Sequence, residues 1–288
     1  MPTGPYGALL DAVRGVRWPA ARRVMGATLG AHPSQLRGNS SEFSEFRPYR
    51  QGDDPRRVDW RLLARSDRAY VRLTTDRATF RTSMIVDASA SMAFPEPAHD
   101  KWRLARELAV GLAAVAHAEA DPVGLAIAGK EPSVLAPRAR RSVLLEMIRA
   151  LDATAPSGTT AIAPFIASAR ASRLVVITDL LGDADDLLAA ARFRVASTDE
   201  VILVHIVATE ELDPPGDALL AVDPEAPSVR RLLAADVRAQ YRASFSKWID
   251  ERAAEARAAG IRYVRAPTTE AAPHLVRRIA GETARRGA

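Results

Sequence analysis

The run Ile85-Val86-Asp87-Ala88-Ser89-Ala90-Ser91 places a carboxylate and two hydroxyls at alternate positions directly after an apolar, strand-like stretch. In an open parallel sheet, ligands collect just beyond the carboxyl ends of the strands, so such a loop can turn all three oxygens toward one point. Hard oxygen donors of this kind suit magnesium, manganese or calcium and not a soft metal. Two further segments offer the same chemistry. Ile177-Thr178-Asp179 puts a second carboxylate after another apolar strand, and Ser157-Gly158-Thr159-Thr160-Ala161-Ile162 puts hydroxyls after a glycine turn at a helix start. Taken singly, each segment also reads as an ordinary strand end or helix cap. Taken together, they supply two carboxylates and three hydroxyls at loops that crowd one rim of a doubly wound sheet. Its rim position implies that Asp87 lies at the surface and supports no core packing.

The elements that must position these groups follow from Met84 onward, where short apolar runs alternate with longer helical periodicities, the pattern of parallel α/β architecture. Strands are predicted at Ser83–Val86, Val123–Ala128, Leu174–Thr178, Val201–Val207 and Ile261–Val264. Helices are predicted at Lys101–Ala118, Arg141–Leu151, Pro164–Ser172, Ala184–Arg194, about Ala234–Ala259 and Ala271–Ala280. In the long helix Val237, Tyr241, Phe245, Trp248 and Ile249 recur at helical spacing, a stripe expected to be core. Residues 210–230, rich in Pro, Asp and Glu, read as an inserted loop or hairpin. The expected organisation is an N-terminal basic segment, 1–78, forming a small subdomain or arm, followed by an α/β domain, 79–284, with a doubly wound, mostly parallel sheet.

Composition narrows the classes. The absence of cysteine from all 288 residues excludes disulfides, thiolate metal sites and cysteine nucleophiles together. The longest apolar stretch, Glu107–Ala120, carries His117 and Glu119 and is shorter than the ~20 residues a membrane helix needs. The first residues lack the apolar core and small-residue cleavage site of a signal peptide, so a cytoplasmic location without a membrane span is expected. Asn39-Ser40-Ser41 fits a glycosylation acceptor but, without a secretory route, reads as a polar loop. The basic excess is N-terminal: residues 1–80 hold 14 Arg against 8 Asp and Glu. Because those arginines are interleaved with Glu42, Glu45, Asp53, Asp54 and Asp59, an internally paired network or an acidic protein surface is the expected partner, not nucleic acid. Arg56-Arg57-x-x-Trp60-Arg61 reads as a packed arginine-tryptophan cluster.

Asp87-x-Ser89-x-Ser91, then Thr160, then Asp179, at successive strand ends, resembles the metal-ion-dependent adhesion site of von Willebrand factor A domains. The resemblance implies Mg2+ (or Mn2+) bound directly by Ser89, Ser91 and Thr160. Asp87 and Asp179 would then act mainly through water, and a partner's carboxylate would take the open position. The usual Gly-Gly-Thr here reads Gly158-Thr159-Thr160, so Thr159 is a rival ligand. Ser41-Glu42-Phe43, Phe46-Arg47-x-Tyr49, Gly52-Asp53-Asp54-Pro55-Arg56, Val58-Asp59-Trp60 and Ala64-Arg65 resemble the signature block of the bacterial domain-of-unknown-function 58 family. That resemblance implies association with a MoxR-type AAA+ ATPase or its client, in chaperone-like assembly or activation of other proteins.

The expected function is therefore a non-catalytic, metal-dependent protein-binding module. A metal-dependent hydrolase or phosphatase using Asp87 is the first alternative, and nucleic-acid binding through the N-terminal arginines the second. The enzyme reading lacks parts: Ser89 stands where a haloacid dehalogenase-type phosphatase needs its second aspartate, and there is no Gly-x-Ser-x-Gly elbow or Gly-x-Gly-x-x-Gly loop. Gly129-Lys130 is no phosphate loop either. The five histidines, His32, His99, His117, His205 and His274, are scattered, and His205, inside an apolar strand, reads as a core histidine.

Overall fold

The computed structural model describes residues 5–19, 29–33, 43–51, 53, 58–66, 68–74, 77–78, 80–197, 199–215, 220–222, 228, 230–232 and 235–281. In chain order the elements are α1 (Gly7–Ala12), β1 (Leu29–Pro33), β2 (Phe43–Pro48), α2 (Trp60–Ser66), β3 (Tyr70–Thr74), β4 (Arg77–Ala78) and β5 (Thr82–Asp87). They continue with α3 (Asp100–Ala118), β6 (Val123–Ala128), β7 (Ser133–Arg138), α4 (Val143–Asp152), α5 (Ala163–Ser168), β8 (Arg173–Thr178), α6 (Ala184–Ala196) and β9 (Glu200–Val207). The chain closes with α7 (Thr209–Leu212), β10 (Leu220–Val222), β11 (Arg230–Leu232), α8 (Ala235–Ala258), β12 (Arg262–Pro267) and α9 (Ala272–Gly281).

Six strands form one sheet in the order β12-β9-β8-β5-β6-β7. All its pairings are parallel except β6 with β7. Counted within the sheet alone this is the doubly wound order 3-2-1-4-5-6, with the third strand reversed. The sheet is buried on both faces, which is why its central strands are continuous apolar runs. Strand alternation divides them: Met84, Val86, Val175, Ile177, Ile202 and Val204 join a core with α1, α3, α4 and α9. Ile85, Leu174, Val176 and Leu203 face the opposite way, toward Ile166, Leu187, Ala191 and Ala256 of α5, α6 and α8.

The predicted strands and helices appear close to their expected bounds, and β7 is an addition. It contains Pro137, tolerable because β7 is the edge strand, and its half-buried alternation is weaker than the runs that mark the buried strands. Gly124 of β6 lets β7 approach closely, since a Cβ there would lie 2.7 Å from the Leu135 carbonyl oxygen. Gly260 stops α8 as expected, with φ +75°, and the Ile261 N–H donates to the Ala256 carbonyl. The inserted segment is resolved as α7 followed by the antiparallel pair β10 and β11.

The chain divides into two compact units, one of Met1–Pro19 with Arg81–Ala288 and one of Ala20–Phe80. The boundary before the sheet is near the expected residue 79, but residues 1–19 group with the α/β unit and not with the basic segment. The reason is burial: Tyr6, Leu9, Val13 and Trp18 belong to the core that contains α3 and α9. Arg173 secures this segment, its guanidinium lying 4.4 Å from the Trp18 ring and donating to the Trp18 and Pro19 carbonyls and to Glu200. In the smaller unit β2 pairs with β3 and β1 with β4, and the Arg47–Asp53 ion pair, 2.7 Å, bears out some internal pairing of its arginines. Trp60 does not sit in a packed cluster: it begins α2 and is 64% exposed. Arg56, Arg57 and Asn39-Ser40-Ser41 lie outside the described residues, as do Gly38, Ser41, Glu42, Gly52, Asp54 and Pro55 of the signature block.

Candidate metal centre

The winding of the sheet reverses between β5 and β8, so the loops leaving their carboxyl ends splay apart and leave a crevice. Asp87 ends β5, Thr178 ends β8 and Asp179 follows it. The third loop is sewn to the first by backbone bonds: Ser157 N–H donates to the Ala88 carbonyl at 2.9 Å, and Ala90 N–H to the Gly158 carbonyl at 2.8 Å. Gly158 holds φ +68°, a left-handed turn that glycine adopts without steric cost. This pairing brings Thr160 to the crevice.

Asp87, Ser89 and Thr160 line one narrow cleft of about 10 Å³, together with Thr178, Gly182 and Asp183. Ser91, on a short 3-10 turn at Ala90–Ala93, does not itself line the cleft, but its hydroxyl lies 3.0 Å from that of Ser89. Thr159, the rival hydroxyl, is exposed and is not among the residues lining the cleft. Asp179 is not among the lining residues. Both its oxygens are engaged, Oδ1 accepting from Leu181 N–H at 3.1 Å and Oδ2 from Lys101 Nζ at 2.6 Å.

Asp87 is buried, contrary to its expected surface position, and it organises its surroundings. Its Oδ1 accepts from Ser89 N–H at 2.9 Å and its Oδ2 from the Thr178 hydroxyl at 2.7 Å. Truncation to Ala would therefore strip partners from two buried groups, and Asn is the cleaner probe. No cation among the described residues pairs with Asp87. Burial first, and then the negative charge of Asp179, push its carboxyl from 3.8 up to about 6, against the opposing hydrogen bonds from Thr178 and Ser89.

Sequence reading missed the residues that compensate Asp179. Lys101, in the first turn of α3, is fully buried and also bonds Glu211 of α7 at 2.7 Å. Burial alone favours the neutral amine, but the charges of Asp179 and Glu211 outweigh it and hold the ammonium above its ordinary value. The signal was present in the periodicity, because Lys101 shares the apolar stripe of Leu104, Ala105 and Leu108.

The residues fit a divalent cation. Among the described residues no group of three or more His, Asp or Glu could hold a metal, so the donors here are hydroxyls around the buried Asp87 carboxylate, with Asp183 also lining the cleft. Two hydroxyl oxygens 3.0 Å apart match adjacent ligands of an octahedral ion bound at about 2.1 Å. An uncompensated buried carboxylate beside them calls for positive charge.

His205 is a core histidine, as expected, its Nδ1 2.6 Å from the Tyr263 hydroxyl and its ring edge-on to Trp248. Burial pulls its pKa from 6.5 down to about 4. The aromatic stripe of α8 departs from the expected core role. Ile249 is buried, but Val237 is exposed and Tyr241, Phe245 and Trp248, stacked in succession, are half-buried.

The order of the six strands, parallel but for one reversed edge strand, is that of a von Willebrand factor A-like α/β domain. The chain belongs to the family described as "Protein of unknown function DUF58", whose model matches residues 45–255. It is 27% identical over 224 residues to the uncharacterized protein Rv1480 of Mycobacterium tuberculosis, covering 74% of this chain and 70% of that one. Among solved structures it is similar to the conserved hypothetical protein BatB from Bacteroides thetaiotaomicron, with 17% identity and a TM-score of 0.42 over 70% of this chain and 98% of that one. The SpRpn10 VWA domain is similar at 12% identity and a TM-score of 0.39, over 68% and 92%. No described helix is long and apolar enough to cross a membrane.

Proposed function

We propose that this chain is a non-catalytic protein-binding module whose rim holds Mg2+ or Mn2+ and captures an acidic side chain of a partner protein. One observation carries the reading: Asp87 is a buried carboxylate at the sheet's reversal point, flanked by hydroxyl donors and, among the described residues, lacking a counter-ion. Ser89, Ser91 and Thr160 would hold the ion, with Asp87 supplying the negative charge. The bound ion supplies a positive charge with an open position for a carboxylate oxygen.

The family resemblance supports a MoxR-type AAA+ ATPase, or a client of one, as the partner, and cytoplasm as the location. The test has two arms. Mg2+ and Mn2+ are titrated calorimetrically into metal-stripped wild type and Asp87→Asn, and capture of a MoxR-type ATPase is measured in Mg2+ and in EDTA. Saturable binding lost in the variant, with capture that needs the ion, is the expected result. Capture that persists in EDTA sinks the metal-coupled reading.

A further inference from the structure

Two carboxylates stand at neighbouring strand ends, and they are treated differently. Asp179 has a resident counter-ion, whereas among the described residues Asp87 has none. The difference is Lys101, whose fully buried ammonium lies 2.6 Å from Asp179 Oδ2 and 2.7 Å from Glu211 Oε1. Glu211 is itself anchored, its Oε2 accepting from Ala208 N–H at 2.8 Å. The Lys101 N–H donates to the Phe94 carbonyl at 3.3 Å, and the ammonium lies 5.6 Å from the centre of the Phe94 ring. The lysine is thus pinned at both ends. Charge-assisted bonds in a buried site are the strong ones, and breaking such a pair exposes an uncompensated charge.

We propose that Lys101 is a positioning residue of the rim: it holds Asp179 away from a divalent ion, so that of the two strand-end carboxylates only Asp87 draws the ion in. The proposal rests on the metal reading above. An ion kept apart from the Asp179 charge retains more of its positive charge, which is what an acidic partner group requires. Lys101 therefore lowers affinity for the ion and raises the affinity of the loaded site for a carboxylate.

The test uses the full chain. Mn2+ is titrated calorimetrically into metal-stripped wild type and Lys101→Gln, and acetate is then added to the Mn2+-loaded proteins and followed by water-proton relaxation. Lys101→Gln is expected to bind Mn2+ about tenfold tighter and acetate about tenfold more weakly, the effect of one unit charge near the ion after screening. A merely structural lysine would weaken both, so unchanged or weaker Mn2+ binding by a folded variant overturns the proposal.

The pair Lys101→Gln with Asp179→Asn gives an independent check, because it removes both charges together. Its Mn2+ affinity is expected within about threefold of wild type, as for loss of a neutral pair. Loss of binding would instead make Asp179 a ligand in its own right and overturn the assignment. Wild type that binds no Mn2+ at millimolar concentration fails the metal reading itself, and this proposal with it.

Discussion

Replacing Asp87 with Asn should stabilise the metal-stripped protein and abolish its response to magnesium. The Asp87 carboxyl rises from 3.8 to about 6 on folding. Between those values the folded protein keeps a proton that the unfolded chain has released, so stability falls as pH rises through that window and the full penalty persists above it. Two units at about 1.4 kcal/mol each put the penalty at about 3 kcal/mol. Asn removes the charge, and its carbonyl can still accept from Ser89 N–H. The Thr178 hydroxyl loses its acceptor, at a cost of about 1 kcal/mol. A net gain of about 1–2 kcal/mol remains, or about 3–6 °C in Tm for a domain of this size. Magnesium at a hundred times its Kd would add about 2.7 kcal/mol to wild type and nothing to the variant. The two proteins should therefore exchange order: the variant is more stable in EDTA near neutral pH, and wild type in excess Mg2+, by thermal and urea unfolding. A variant less stable than wild type in EDTA would mean that the Asp87 charge is already compensated, and the argument for a bound cation would collapse.

Thr160→Val should weaken Mn2+ binding in calorimetry while Thr159→Val leaves it unchanged, because Thr160 alone of the two lines the cleft; the reverse result would reassign the hydroxyl. His205 contributes pH dependence of the opposite sign to Asp87. Its folded pKa of about 4 lies below 6.5, so the unfolded chain takes up the proton first and stability is lost as pH falls through that window. His205→Gln should remove a slope worth up to about 3 kcal/mol, read as the difference between variant and wild-type urea midpoints from neutral to acid pH; parallel curves would refute it. Arg173→Met leaves the half-buried Glu200 carboxylate without its ion pair to a fully buried guanidinium and frees the Trp18 and Pro19 carbonyls, and should cost about 3 kcal/mol in urea unfolding. A loss below about 1 kcal/mol would show that the N-terminal segment is held by its apolar contacts alone.

The α/β class was legible from Met84 onward because strands buried on both faces must be continuously apolar, and runs such as Leu174–Thr178 admit few other readings. The candidate oxygen donors were legible as well, because Asp87, Ser89 and Ser91 alternate in one short loop where side-chain period and chemistry coincide. Helix stops and strand ends depend on neighbours in the chain, and Gly260 and Asp87 sit where local rules put them. The reversed edge strand β7 was not legible, since one solvent-facing side and a proline erase the apolar run that marks its neighbours.

Tertiary structure alone decided how the charges are shared. Whether a carboxylate is compensated depends on groups far away in sequence: Lys101 is 78 residues from Asp179 and 110 from Glu211, yet all three meet in one buried cluster. The same holds for Thr160, brought to Asp87 by backbone bonds between two loops, and for residues 5–19, whose apolar side chains complete a core built mainly by residues beyond 81. Local sequence carries the propensity of each segment and the chemistry of its side chains. Burial and Coulomb energy depend on distance in space, so only the folded chain determined that, among the described residues, Asp179 has a counter-ion and Asp87 does not.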